Sequence, residues 1–267
     1  MRRAALLLAL ALGGCGAQTY GIGSLLQRAA ADPVEEESRR DVPFVPTPEP
    51  VVTAMLDLAR VGPGDVLIDL GSGDGRIPIE AARRGARAQG VDIDPVLVTR
   101  ANVRAAEAGV ADRVTFRTGD LFGMRLAEAS VVSMYLLPQV NLRLRPRLLT
   151  ELAAGTRIVS HAFDMGDWPP DAERLVDGRR VYLWTVPATA GGDWRVRMAD
   201  GSERMLHIDQ RYSRVAGTLD GRAITGATLS GRNLSFTADG RTWRGQVGDA
   251  AIEAEGDGWR AVRAETP

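Results

Sequence analysis

The sequence contains no lysine, so all 33 of its basic side chains are arginines, and it has only one cysteine and two histidines. A phosphate-binding loop of the nucleotidase type ends in Gly-Lys followed by Ser or Thr, so the absence of lysine excludes that class. A single cysteine excludes an internal disulfide, and with only two histidines it argues against a zinc site or metal catalysis. The formal net charge is −1 and the arginines are interspersed with acids, so nothing indicates a nucleic-acid partner.

The most informative stretch is residues 66–76, VLIDLGSGDGR. An apolar run that ends in an acid and continues into three alternate glycines is typical of a strand that leads into a ligand-binding turn. The glycines, Gly71, Gly73 and Gly75, allow backbone angles and a close ligand approach that a Cβ would prevent. We expect a helix to begin near Asp74, with its free N–H groups and positive dipole end facing the ligand.

The spacing of the glycines helps to identify the ligand. The pattern is GxGxG, and Arg76 stands where the dinucleotide fingerprint GxGxxG has its third glycine. Asp69 places a carboxylate beside the turn, which suits a ligand bearing an ammonium better than one bearing phosphates. S-adenosylmethionine is such a ligand.

Two further acids follow predicted strands. Asp92 lies in GVDIDP, residues 90–95, and can accept hydrogen bonds from two ribose hydroxyls. Asp120 ends VTFRTGD, residues 114–120, and can accept from an adenine amino group, as its counterpart does in related folds. Either acid alone could be a helix cap or a turn residue. Their order matters more, because open α/β sheets bind ligands along the edge formed by the carboxyl ends of the strands.

These motifs resemble the class I S-adenosylmethionine-dependent methyltransferases. The resemblance implies a cofactor site made of Asp69, Gly71, Ser72, Gly73, Asp74, Gly75, Asp92, Ile93, Asp120 and Leu121.

A narrower resemblance rests on PFVPTPEPVV (residues 43–52), DLGSGDGR, the pair Pro138 and Gln139, and an aromatic-rich turn after the fifth strand. These features are similar to the lysine methyltransferases that modify the mitochondrial ATP synthase c-subunit and the adenine nucleotide translocase. That family implies that the segment before the first strand folds over the cofactor, which adds Phe44, Pro46 and Thr47 to the site. The other interpretation of the segment is a proline-rich linker.

Strand and helix patterns alternate from residue 47 to about residue 161, which predicts an α/β fold with a Rossmann-like, doubly wound parallel sheet. After Arg180 the pattern changes to short alternating strands separated by glycine-containing turns, which is typical of antiparallel β structure. We therefore predict a methyltransferase domain over residues 42–190. A small antiparallel β domain, a barrel or a sandwich, is expected over residues 191–267.

The methyl acceptor is expected near the end of the fourth strand and the loop of residues 161–171, HAFDMGDWPPD. Tyr135, Gln139, His161 and Asp164 are candidates for orienting it. The alternatives are that Tyr135 and His161 belong to the core, and that the loop is a rigid packing corner rather than a lid.

The N-terminal sequence MRRAALLLALALGGCG resembles a bacterial lipoprotein signal. Its apolar run, residues 4–12, is too short to span a bilayer permanently, and Cys15 stands where lipid attachment and cleavage occur. This predicts a signal peptide over residues 1–15, a polar tether over residues 16–41 and a lipid anchor on the periplasmic side of a bacterial envelope. The alternative is a misread start, an incidental cysteine and a cytoplasmic protein.

The preferred function is methyl transfer from S-adenosylmethionine to a lysine of a protein. Two alternatives remain at this point: a small-molecule acceptor, or an envelope-tethered binding protein that keeps a methyltransferase-like scaffold without activity. The lipoprotein-like start favours the binding protein, because S-adenosylmethionine is made in the cytosol and an exported enzyme would lack an obvious supply of it. The intact acids favour an enzyme.

Overall fold

The computed structural model describes residues 44–256 and 258–264. Cys15, the predicted signal peptide and the predicted tether lie outside these residues. Within them, no helix combines the length and the apolar character that crossing a bilayer requires.

The first sheet has seven strands, and from β1 the strand order runs in opposite directions toward its two edges. The strands are β1 (Val66–Leu70), β2 (Arg87–Asp92), β3 (Val114–Thr118), β4 (Val131–Met134), β5 (Arg157–His161), β6 (Ala172–Val176) and β7 (Arg179–Thr185). Their order is β3-β2-β1-β4-β5-β7-β6, with β1 to β5 parallel and β7 antiparallel to both of its neighbours. The chain reverses direction across the sheet between β1 and β4, which is where open α/β sheets bind ligands. The predicted Rossmann-like fold is confirmed.

Among the described residues, four α-helices cover this sheet: α1 (Glu49–Leu58), α2 (Arg76–Arg83), α3 (Pro95–Glu107) and α4 (Pro138–Glu151). Asp94 caps α3, since its Oδ1 accepts from the N–H of Val96 at 2.8 Å. Proline in the first turn suits α3 and α4, because its fixed φ matches a helix and its missing N–H needs no partner there. The sequence pattern predicts the start of α4 at residue 142, and Pro138 explains its earlier start.

Both faces of the sheet are buried, as parallel sheets require. In β1, Leu67 packs with α1, α2 and α3 on one face, whereas Ile68 and Leu70 pack with α4 on the other. All three side chains are at most 1% exposed. This packing fixes the end of β1, and so fixes the start of the glycine-rich turn.

The second sheet is antiparallel throughout and has nine strands. These are β8 (Gly192–Arg197), β9 (Glu203–Arg211), β10 (Arg214–Leu219), β11 (Arg222–Ala223), β12 (Thr225–Ser230), β13 (Asn233–Ala238), β14 (Arg241–Val247), β15 (Ala251–Ala254) and β16 (Arg260–Arg263). Their order is β11-β10-β9-β8-β16-β15-β14-β13-β12, and β12 lies against β10, so the sheet curls round. Alternate side chains build a single core that includes Trp194, Phe236 and Trp243. The predicted C-terminal β domain is confirmed.

Two differences from the sequence-based expectation concern strands. β6 occupies residues for which no strand was predicted, and its side chains are mostly exposed because it forms the edge of the first sheet. The sequence pattern predicts the fourth strand over residues 130–136, and it ends earlier, at Met134, whereas the third strand ends at Thr118, before the turn that the pattern predicts. Asp120 and Tyr135 therefore lie just beyond the strand ends, at the edge where the site was predicted.

Candidate active site

The glycine-rich turn joins the end of β1 to the start of α2. Gly71, Gly73 and Gly75 all have positive φ, at 77°, 53° and 79°. A Cβ on Gly71 would lie 2.8 Å from Leu136, and one on Gly75 would lie 2.6 Å from a carbon of the Phe116 ring. Conformation and space therefore both require glycine at these two positions.

The turn is fastened to the end of β2. The N–H groups of Gly71 and Ser72 both donate to the carbonyl of Val91 at 2.9 Å. Asp92 accepts from the N–H of Gly73 at 2.7 Å through Oδ2, and from the N–H of Asp94 at 3.0 Å through Oδ1. A carboxylate oxygen has two lone pairs, so Asp92 keeps capacity to accept from a ligand. Ile93, the next residue, is 48% exposed at the same edge.

Asp69 is a buried carboxyl beneath this turn. It is 2% exposed, and its Oδ1 accepts from the Ser133 hydroxyl at 2.7 Å. Burial raises its pKa to about 7, against the lowering effect of the Ser133 hydrogen bond and with smaller contributions from the charges of Asp92 and Asp74. Asp69 has no ion pair with any residue that the structure describes. An unpaired buried carboxyl fits a positively charged ligand.

Asp74 was predicted to bind the cofactor, but its side chain is engaged by arginines. Arg76 donates to both carboxylate oxygens, through Nε at 2.9 Å and Nη2 at 2.7 Å, and Arg104 donates to Oδ2. Burial would raise the pKa of Asp74, but the bonds and charges of these arginines lower it overall. The carboxylate of Asp74 is therefore held in an ion-pair cluster with Arg76 and Arg104, and only the backbone of Asp74 lies outside that cluster.

The segment before α1 is packed onto the turn and is not a linker. A Cβ on Gly73 would overlap the ring of Phe44, so this ring occupies the space above the turn. Arg76 Nη1 donates to the carbonyl of Thr47 at 2.7 Å, and Thr47 is buried, whereas Pro46 is exposed. The segment therefore lies over the glycine-rich turn, and its contact with the cofactor stays a prediction.

Thr47 also reaches a group of side chains that we call the aromatic cluster: Thr47, Tyr135, His161 and Phe163. The Thr47 hydroxyl lies 3.2 Å from His161 Nδ1. The ring of Tyr135 lies 3.9 Å from that of His161 and 6.2 Å from that of Phe163, measured between centroids. His161 is 1% exposed, and burial, with a smaller effect of Arg179, lowers its pKa to about 4. The imidazole is therefore neutral at pH 7.

A strained turn follows His161. Ala162 has a φ of 65°, and the N–H of Phe163 donates to the carbonyl of His161 at 2.8 Å. Asn141 in α4 is fully buried, and its Nδ2 donates to the carbonyls of Phe163 and Asp164 at 3.3 and 3.2 Å. Positive φ in a non-glycine residue persists only where the surroundings hold it, and Asn141 supplies that hold.

Three other predicted residues have local structural roles. Asp120 caps the short 3-10 helix Leu121–Gly123, with its Oδ1 accepting from Phe122 N–H at 2.8 Å. Asp164 is exposed and accepts from the N–H of Gly166 at 2.9 Å. Gln139 is exposed in the first turn of α4. Among the described contacts, neither Gln139 nor the side chain of Asp164 touches the aromatic cluster.

Known proteins share this site region. Residues 69–172 match the family model described as the ANTKMT methyltransferase domain. A protein-lysine N-methyltransferase of Saccharolobus islandicus is 42% identical over 151 residues, which covers 54% of this chain and 94% of that protein. The adenine nucleotide translocase lysine N-methyltransferase of Mus musculus is 36% identical over 66% of this chain and 76% of its own length. The chain belongs to this family of class I methyltransferases.

A solved structure also resembles this methyltransferase. It is the crystal structure of an RNA methyltransferase from Salinibacter ruber in complex with S-adenosyl-L-homocysteine, and it is 59% identical over 54% of this chain and 94% of its own. Its TM-score to this chain is 0.53. The cofactor of the methyltransferase is S-adenosylmethionine.

The residues of the turn fit that cofactor. Asp69 offers an unpaired buried carboxyl to a cationic group, and the hydroxyl of Ser72 is buried without a hydrogen-bond partner among the described residues. Buried polar atoms are normally paired, so an orphan beside a glycine turn indicates that a ligand group completes it. Which ligand atoms Asp92, Ile93, Asp120 and Leu121 contact remains a prediction.

Sequence reasoning missed Ser133, Asn141 and Phe163. Asn141 gives a signal in retrospect, because it is a polar residue among the buried apolar positions Val140, Leu144 and Leu148 of α4. Phe163 gives no such signal, since its place beside Tyr135 depends on the strained turn at Ala162.

Proposed function

We propose that this methyltransferase transfers the methyl group of S-adenosylmethionine to the side-chain amine of a lysine in a protein. The observation that carries the proposal is the double contact of Thr47. Its carbonyl is bound by Arg76 at the cofactor turn, and its hydroxyl is bound to His161 in the aromatic cluster. The aromatic cluster therefore adjoins the cofactor site, where a methyl acceptor has to lie. Relatives named as lysine N-methyltransferases support lysine as that acceptor.

S-adenosylmethionine supplies a methyl group on a positively charged sulfur. Transfer is an in-line displacement, so the protein has to align the acceptor and exclude water, and no nucleophilic side chain is required. A lysine must be neutral to attack, and because its unperturbed pKa is about 10.4, its ammonium first has to give a proton to water. The rings of Tyr135 and Phe163 disfavour the charged amine by desolvation, and the positive charge of the cofactor acts in the same direction.

His161 is suited to orient the amine but not to hold its proton. With a pKa of about 4, it is far too weak a base to take a proton from a lysine ammonium. A neutral imidazole has one acceptor nitrogen. In the tautomer in which Nδ1–H donates to Thr47, that acceptor is Nε2.

RNA is the second candidate acceptor, because the similar protein from Salinibacter ruber is named as an RNA methyltransferase. The charges of this chain favour protein. The net charge is −1, and many arginines are neutralised by acids, as with Asp74 and Asp167. A nucleic-acid binder needs unpaired cations along its surface to contact phosphates.

The test is incubation of a cell extract with the purified full chain and S-adenosylmethionine labelled in its methyl group. Because the chain has no lysine, methyl-lysine in an acid hydrolysate cannot come from the enzyme itself. We expect label in methyl-lysine that is sensitive to protease. The control is Asp92→Ala, which should lose cofactor binding, because charged hydrogen bonds each contribute roughly 1.5–3 kcal/mol. Label removed by ribonuclease would instead show an RNA acceptor, and label in a small metabolite would show a small-molecule enzyme.

We also propose that Cys15 is lipidated and anchors the protein to a bacterial membrane. The apolar run of residues 4–12 and the LGGC junction support this, and Gly16 lacks the acid associated with retention in the inner membrane. Labelling with a radioactive fatty acid should mark the full chain but not Cys15→Ala. Equal labelling of both, or a mature cytosolic protein that begins at Met1, would contradict the anchor.

A further inference from the structure

The loop between β5 and β6 carries Phe163 of the aromatic cluster, and α4 holds it from one side. We call residues 162–168 the acceptor loop. Besides the bonds from Asn141, Arg145 Nη1 donates to the carbonyl of Met165 at 2.7 Å. Met165 and Trp168 are fully buried, and Trp184 Nε1 donates to the carbonyl of Trp168 at 2.9 Å.

The second sheet holds the same loop from the other side. The turn between β9 and β10 places the ring of Tyr212 against Trp168, with centroids 5.7 Å apart and planes at 18°. The Tyr212 hydroxyl donates to Asp167 Oδ1 at 3.1 Å, and Arg211 donates to Asp167 Oδ2. Arg145 donates to Asp167 Oδ1 at 2.5 Å, so this carboxylate joins α4 to the second sheet.

The β9–β10 turn is itself fixed. Tyr212 has a φ of 56°, which is unfavourable for a bulky side chain unless the surroundings hold it. Gln210 provides that hold. Its Oε1 accepts from the N–H groups of Ala190 and Gly191 at 2.7 and 2.9 Å, and its Nε2 donates to the carbonyls of Ala188 and Tyr212, both at 2.9 Å. The turn is therefore tied to the segment that joins the two sheets.

We infer that Arg211 and Tyr212 are positioning residues for methyl transfer, and that the C-terminal β domain completes the acceptor side of the site. They act through Asp167 and Trp168 on the acceptor loop, and so on Phe163. The inference rests on the proposed function, because it assigns the loop to the acceptor. The family-model match ends at residue 172, so β8 to β16 lie outside it, and this support is additional to the matched domain.

The glycine-rich turn follows β1 and is fastened to the end of β2, and no contact that the structure describes joins it to Arg211, Tyr212 or Asp167. Loosening the loop should therefore impair acceptor use and leave cofactor binding unchanged. In the full chain we expect Tyr212→Ala to lower the initial rate of methyl-lysine labelling in the cell extract roughly tenfold or more, since small misplacements of reacting groups have effects of that size. The dissociation constant for S-adenosylmethionine should stay within about twofold. Tyr212→Phe keeps the stacking on Trp168 and should recover most of the activity.

Two matched variants separate positioning from general stability. Arg211→Ala removes the bond to Asp167. Arg214→Ala removes the same charge from the cross-strand partner of Arg211 at the other end of the turn, and Arg214 has no contact with the acceptor loop among the described residues. We expect only Arg211→Ala to impair turnover. Hydrogen exchange of residues 162–168 provides a readout independent of activity, and it should increase in Tyr212→Ala and Arg211→Ala but not in Arg214→Ala.

An unchanged initial rate of methyl-lysine labelling by a folded Tyr212→Ala variant would overturn the inference. If Tyr212→Ala does not fold, equal turnover of Arg211→Ala and Arg214→Ala would overturn it as well. If the unmodified enzyme labels no lysine at all, the proposed function fails. Unchanged exchange in the loop of the Tyr212 and Arg211 variants would then reject the positioning role separately.

Discussion

At the residue scale, the buried carboxyl of Asp69 lowers the stability of the fold above about pH 4, while it favours binding of the cofactor. Its folded-state pKa is about 7, above the ordinary value of 3.8, so between these values the folded chain holds more protons than the unfolded chain. Stability from this group is therefore greatest at low pH and is lost as the pH rises from about 4 to 7. We expect Asp69→Asn to stabilise the cofactor-free protein at pH 8 by roughly 2–4 kcal/mol and to weaken cofactor binding. Calorimetric unfolding at pH 5 and pH 8 measures the first effect, and a pH dependence identical to that of the unmodified protein would contradict it.

The same carboxyl predicts proton release when the cofactor binds. Near pH 6 most of Asp69 is protonated in the free enzyme, and a positive charge placed beside it lowers its pKa. Binding should then release up to about one proton, so the binding enthalpy should depend on the ionisation enthalpy of the buffer. Titration calorimetry at pH 6 in phosphate and in an amine buffer measures this. Asp69→Asn should abolish the buffer dependence, and its persistence in that variant would assign the proton to another group.

At the scale of elements, the segment before α1 acts as a cover of the glycine turn. The ring of Phe44 lies over Gly73 but is still 37% exposed, so it contributes little to the core. We expect Phe44→Ala to weaken S-adenosylmethionine binding about fivefold to tenfold, because the ring would pack against the bound ligand above the turn. The melting temperature should change little. Val45→Ala is the matched control, since Val45 is the neighbouring residue and is 54% exposed. Equal affinity of the two variants in titration calorimetry would show that the segment has no part in the site.

Elements with a local signal were predictable from the sequence. The turn at Gly71 to Gly75 and the acid at Asp92 each lie in a short motif that directly follows a strand. Such motifs are recognisable because strand, turn and cap preferences act over a few positions. β6 has no such signal, since it is an exposed edge strand whose one partner among the described strands is β7. Pro138 could have placed the start of α4 correctly, because proline favours the first position of a helix.

At the scale of the whole molecule, the parts of the site that the sequence did not predict are those built by long-range packing. Thr47 meets His161 across 114 residues, and Tyr212 meets Asp167 across 45. No periodicity encodes such pairs, since each depends on how whole elements dock. The sequence predicted the cofactor edge because its chemistry follows each strand directly. It could not predict that the C-terminal β domain reaches the acceptor loop.

The composition of the whole chain allows a last test of the acceptor. All 33 basic side chains are arginines, whose guanidinium groups stay protonated and do not react with amine-acetylating reagents at neutral pH. We therefore expect the enzyme to keep its activity after treatment with such a reagent. A protein extract treated in the same way should lose its capacity to accept labelled methyl groups, because its lysines are blocked. The reciprocal mixtures, treated enzyme with untreated extract and the reverse, separate the two effects within one assay. Full labelling of the treated extract would exclude the lysine amine as the acceptor while leaving the methyltransferase fold and cofactor intact, since neither depends on a lysine of this chain.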